Sequence, residues 1–304
     1  MTKFWDKVLE SETTCMKRSV PILFLLPSVV VLFAIAVYPV GFGVWAGFHQ
    51  WNWAIGQAEN WFFIGLDNYV RLLGDTAFWN AIWVTLYFTV LAVVFELVVG
   101  LGIALLLSNN VKGSWFFRSA VVFPLMVSDI VAAIIFSTLL NPTLGTLNYF
   151  LGLLHLPEPN WVGDPKLVIL TLSLVDTWWQ TGNIILILLA GLTSIPQDRI
   201  DMASIDGASG WRMLWHITLP GLKPFILVAL VFRTIDALRV FALAWAITRG
   251  GPSRASEVAQ LYVFNLGIGQ YFNMGYAAAA ATLFAILVGL ISGAYLLMMR
   301  RAPA

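Results

Sequence analysis

Six ionisable side chains fall inside stretches that are otherwise apolar: Glu96, Asp129, Asp176, Arg233, Asp236 and Arg239. A charge at the centre of a bilayer costs about 2.5–3.5 kcal/mol even on lenient insertion scales, so each needs a partner or an aqueous path. Arg233, Asp236 and Arg239 recur at every third residue. On a helix they share one face, and Asp236 can pair with either arginine. Such a face serves as an internal salt bridge that neutralises charge for packing, or it borders a path for a polar solute. Both uses can hold together. Glu96 is expected to pair structurally.

A second constellation follows Asp176 closely: Trp178, Trp179, Gln180 and Asn183. Aromatic faces cover the C–H faces of sugars while amides and carboxylates pair with hydroxyls, so this mixture suits a sugar. Tryptophans in a membrane helix also serve as packing and interface anchors, and both readings stand. Asp129, Asp176, Trp178, Trp179, Asn183, Arg233, Asp236 and Arg239 are the candidates for a solute pathway.

Other chemistry is missing. A phosphate-cradling loop needs Gly-x4-Gly-Lys-Ser/Thr, and no Gly-Lys dipeptide occurs anywhere. His49, His155 and His216 are far apart and fall in loops, so no metal cluster is expected. The lone Cys15 is read as incidental. Catalysis is therefore not expected of this chain, and no cofactor is expected on it.

The elements that must position these residues are membrane spans. The 304 residues are 60% hydrophobic and only 11% charged, with a mean hydropathy of +0.83. A soluble domain averages about 25% charged, so most of the surface must face lipid. The net charge of +1 offers no pull on nucleic acid. After a polar tail (1–19), predominantly apolar runs of about 20 residues or more suffice to cross a bilayer. They predict six spans, at about 20–48, 80–107, 119–140, 166–190, 223–247 and 276–299, in one all-α membrane domain over 20–304. The first run is too long for the core of a cleavable signal peptide.

Loop cations orient the spans. With both termini in the cytoplasm, that side holds 11 of the 17 Lys and Arg, the other side holds 4, and Arg233 and Arg239 lie within a span. The bias follows the positive-inside rule. It puts residues 191–222, the longest polar interruption on that side, in the cytoplasm.

This interruption reads as a two-helix elbow. Pro196, Gln197 and Asp198 suit a helix start, and Asp206-Gly207 offers a break. Trp211, Leu214, Trp215 and Thr218 fall on one face of a second helix. Pro220 and Pro224 end that helix or bend it into the fifth span. The apolar face left at the membrane surface suits a partner.

Asp201-Met202-Ala203, then Gly207, then Ile217-Thr218-Leu219-Pro220 resembles the EAA loop of membrane subunits of binding-protein-dependent ABC importers. The family pattern has Glu-Ala-Ala where this chain has Asp-Met-Ala. Asp206-Gly207-Ala208 with Trp211 resembles the carbohydrate branch. Phe232-Arg233-Thr234 to Phe241, Thr248-Arg249-Gly250-Gly251-Pro252 and Gly275-Tyr276-Ala277-Ala278-Ala279 are similar to later segments of that branch.

The resemblance implies that Asp201, Met202, Ala203, Asp206, Gly207, Ala208, Trp211, Ile217, Leu219 and Pro220 couple the chain to a cytoplasmic ATPase. It implies two ATPase subunits that use ATP and Mg, a homologous second permease subunit and an extracytoplasmic solute-binding protein. The Arg233 face would then border the solute path or the joint with that second permease. The membrane would be the cytoplasmic (inner) membrane of a bacterium or archaeon. The solute would be a sugar such as trehalose or maltose, with monosaccharides, polyols and glycerol phosphates also compatible. A stand-alone secondary transporter or channel is the competing reading, although paired repeats of the kind common there are not visible.

Overall fold

The computed structural model describes residues 24–53, 61–108 and 113–301. The expected polar tail with Cys15 and the beginning of the first span lie outside the described residues. In chain order the helices are α1 (Phe24–Ala46), α2 (Asp67–Leu73), α3 (Thr76–Ser108), α4 (Ser114–Val122) and α5 (Asp129–Leu139). They continue with α6 (Thr146–Leu153), α7 (Val168–Thr193), α8 (Gln197–Ile205), α9 (Gly210–Leu238), α10 (Ala259–Phe264) and α11 (Met274–Arg301). Among the described residues the strands are two short ones, His49–Gln50 paired antiparallel with Phe62–Phe63.

Among the described residues five helices (α1, α3, α7, α9 and α11) are long and apolar enough to cross a membrane, and the α4–α5 pair makes a sixth if it counts as one span. Helices suit this role because every backbone N–H and C=O is satisfied within the segment. α3 and α7 pack along much of their length and form the centre of the molecule. Gly100 permits the contact: a Cβ there would lie 2.9 Å from Ile184 Cγ2. Small residues let membrane helices approach in this way. Phe88, Ala92, Leu172 and Val175 fill one part of the interface, and Ala104, Ile184, Ile185 and Leu188 fill another.

Two expected spans differ from a single straight helix. The run 119–140 is split: Trp115–Met126 and Asp129–Leu139 meet at 95°. Pro124 lies in a 3-10 turn, Phe123–Met126, and Val127 and Ser128 are extended. Proline removes a donor from the ladder, while Asp129 favours the positive end of a new helix. The charge once placed within a span thus begins a helix, exposed, with Oδ1 accepting from Ile130 N at 2.8 Å.

The fifth span also moves. The elbow's second helix does not stop at its prolines but runs on as α9, through a π-turn at Leu214–Thr218, as far as Leu238. Arg239 is the residue that ends it. The chain then makes a separate short π-helical turn at Ala244–Thr248. Arg239 thus sits at the end of the helix and lines a different hollow from Arg233 and Asp236.

Candidate functional site

Arg233 of α9 points into the bundle and is met by carboxylates from three directions. Glu96 of α3 takes two hydrogen bonds, one from Nε to Oε2 and one of 2.8 Å from Nη2 to Oε1. Asp176 of α7 accepts from Nη2, and Asp236, one turn along α9, accepts from Nη1 at 2.6 Å. The planar guanidinium fork matches a carboxylate in two-point contact, which makes these bonds directional and strong. Glu96 is fully buried and Asp176 is 4% exposed. An unpaired charge at such sites would be costly. The cluster ties three spans together.

Asp236 is the open member of the cluster, its side chain 59% exposed. It borders a cavity of about 400 Å³ together with Gln180, Asn183, Phe232 and Arg233. Asn183 Nδ2 donates to Gln180 Oε1 at 2.6 Å. An aromatic ring, two amides, a carboxylate and a guanidinium around one hollow can bind a polyhydroxylated solute.

Of the eight pathway candidates, Asn183, Arg233 and Asp236 line this cavity. Asp176 reaches it only through Arg233. Trp179 instead donates from Nε1 to Val127 O at 3.0 Å, satisfying a carbonyl released by the break between α4 and α5. Trp178 packs edge to face on Phe136 of α5, with ring centroids 5.1 Å apart. Arg239 lines a different hollow with Phe241 and Phe284, and Asp129 lines none of those described here.

The elbow forms as two helices around Gly207. Asp206 ends α8, Gly207 has φ +72, Gly207 N bonds Ser204 O and Ala208 N bonds Ala203 O at 2.9 Å. This is the Schellman end of a helix, in which a left-handed residue lets the next N–H cap a free carbonyl. Asp201 accepts from Gln197 Nε2 at 3.0 Å. Met202, Ile205 (85% exposed), Trp211 (69% exposed) and Trp215 stand in the open, the two indoles edge to face. Leu219 is half-buried, and Ile217 and Pro220 line a cleft beside the elbow.

Sequence reasoning did not single out Asp75. Its Oδ1 caps the start of α3 by accepting from Ala77 N at 2.8 Å. Its Oδ2 accepts from Tyr262 of α10 at 2.7 Å and from Tyr276 of α11 at 3.0 Å. Burial works against its ionised form, but these donors outweigh it and hold the carboxyl below its ordinary value. Burial and the Asp75 carboxylate push the Tyr262 phenol up. The three residues are spread over some 200 positions of the chain, so no spacing signal marks them.

Residues 96–301 match the family described as binding-protein-dependent transport system inner membrane component. The chain belongs to that family of multi-pass membrane transport subunits. It is 36% identical over 270 residues to the trehalose/maltose transport system permease protein MalF of Thermococcus litoralis, covering 89% of each chain. It is 33% identical over 276 residues to the trehalose transport system permease protein SugA of Mycobacterium tuberculosis, covering 91% of this chain and 87% of that one. A chain of a bacterial ABC transporter involved in import of the acidic polysaccharide alginate superposes with a TM-score of 0.81 at 25% identity, covering 96% and 99%. The same kind of transporter, in complex with an alginate pentasaccharide-bound periplasmic protein, gives a TM-score of 0.80.

Proposed function

We propose that this chain forms half of the translocation pathway of an ATP-driven importer for a sugar, with a di- or oligosaccharide of the trehalose or maltose kind favoured. The observation that carries the reading is the elbow. A helix–turn–helix with Met202, Ile205, Trp211 and Trp215 exposed suits docking on another protein. Its second helix is α9, the same helix that carries Arg233 and Asp236. A push on the elbow is therefore passed along α9 to the solute cavity. The names of the relatives support a sugar, as do the amides and Phe232 around the cavity.

In this reading the elbow faces the cytoplasm, as the loop cations suggest, and Asp201 to Ala208 with Trp211 meet a separate ATPase. ATP and Mg act there and not on this chain. A homologous second permease completes the pathway, and an extracytoplasmic solute-binding protein delivers the sugar. Asn183, Arg233 and Asp236 border the path, whereas Glu96 and Asp176 hold Arg233 in position.

Reconstitution tests this. Proteoliposomes holding this chain, its partner permease and their ATPase should take up radiolabelled trehalose or maltose only with internal ATP and the external binding protein. Uptake without any ATPase subunit would favour a stand-alone carrier instead.

A further inference from the structure

A cleft of about 910 Å³ opens where α8, the first half of α9 and the end of α11 meet. Its rim is cationic. Arg199 of α8 and Lys223 of α9 line it, with the His216 imidazole nearby, and no carboxylate is among its lining residues. Neither Arg199 nor Lys223 takes part in a salt bridge among the described residues, and both side chains are exposed.

The walls below the rim are apolar. Ile226, Leu227 and Leu230 of α9 face Met298 of α11 across the hollow. Lys223 and Leu230 are seven residues apart, which is about 10 Å along a helix axis. The cleft thus reaches from the charged end of two spans into the depth of acyl chains.

We propose that this cleft binds an anionic phospholipid, with the phosphate between Arg199 and Lys223 and an acyl chain along Ile226 to Leu230. Basic pockets between membrane helices recognise anionic headgroups in this manner. A soluble protein's acidic segment could meet the rim, but it would leave the apolar walls below unfilled. A neutral lipid would fill the walls and leave two cations unpaired. Only an anionic amphiphile matches both halves. Because Arg199 belongs to the elbow's first helix and Lys223 to the spanning helix, the bound phosphate bridges elbow and span. The lipid would steady the elbow against α9. The inference requires a chain that sits in a bilayer, but not that the elbow docks an ATPase.

The full chain, exchanged into equal amounts of phosphatidylglycerol and phosphatidylcholine with identical acyl chains, can be read by native mass spectrometry. Wild type should retain phosphatidylglycerol selectively. Arg199→Gln and Lys223→Gln should each weaken that selectivity on the order of fivefold, and the double variant should approach parity. Arg199→Lys with Lys223→Arg should keep it, which separates charge from misfolding. No preference in wild type, or a preference untouched in the double glutamine variant, would overturn the proposal. So would wild-type retention of hexaglutamate in place of the lipid, which would assign the cleft to a protein partner.

Discussion

Glu96 and Arg233 stand 137 residues apart in the chain and share two hydrogen bonds in the interior. The pair joins α3 to α9, and Asp176 joins α7 to the same guanidinium. Removing the single cation leaves these two buried carboxyl groups beside each other without a counter-charge. Arg233→Met should therefore lower stability by about 3–5 kcal/mol. Glu96→Gln, which keeps the shape of the acceptor, should cost less. Thermal unfolding of the purified chain in detergent checks the order, and a Met variant as stable as the Gln variant would refute it.

Asp236 differs from its two neighbours because its side chain is largely exposed beside the cavity. Asp236→Asn leaves Glu96 and Asp176 on the guanidinium, so assembly should survive. Sugar uptake in proteoliposomes should fall about tenfold, the worth of roughly 1.4 kcal/mol. Full uptake with normal assembly would remove any role for this charge in transport.

Trp179 supports the bend between α4 and α5 by donating to Val127 O. Trp179→Phe keeps most of the ring but leaves that carbonyl without its donor. A loss of about 1–3 kcal/mol is expected, read as a lower unfolding midpoint in detergent. A midpoint equal to wild type would show that the bend does not depend on this bond.

Asp75 gathers α3, α10 and α11 at one end of the bundle. Its carboxyl is held below the ordinary value of 3.8. Such a group stabilises the fold above its unfolded pKa, and that contribution is lost as pH falls through the folded one. The wild type should therefore lose stability below about pH 4, and Asp75→Asn should flatten that acid limb. Identical acid limbs in the two proteins would contradict the assignment.

Much of this was legible in the sequence because the apolar runs and the polar island are local signals. The elbow's turn at Asp206-Gly207 needed only the conformational freedom of glycine. The Arg233–Asp236 pair needed only helical spacing, and Asp236 did choose Arg233. Arg239, the residue at which α9 ends, makes no salt bridge among the described residues. The break at Val127-Ser128 was hidden in a run whose composition still reads as a span. Glu96 and Asp176 were visible as costly charges, but their common partner was set by tertiary packing. Asp75 and its tyrosines gave no local signal. Trp179 reads from sequence as either a sugar-facing ring or a packing anchor; the carbonyl it serves exists only once the neighbouring helix has bent.

Gly207 offers the most direct test of coupling through the elbow. Its φ of +72 is open to glycine and strained for other residues, while a Cβ there would meet nothing within 4 Å. Gly207→Val should cost about 1–2 kcal/mol locally and misorient α8 without touching the solute cavity. The measurement is sugar uptake and binding-protein-stimulated ATP hydrolysis in the same proteoliposomes, wild type against Gly207→Val. Uptake should collapse in Gly207→Val, and stimulation should fall towards the basal rate. Survival of both at wild-type levels, with the variant assembled, would contradict coupling through the elbow.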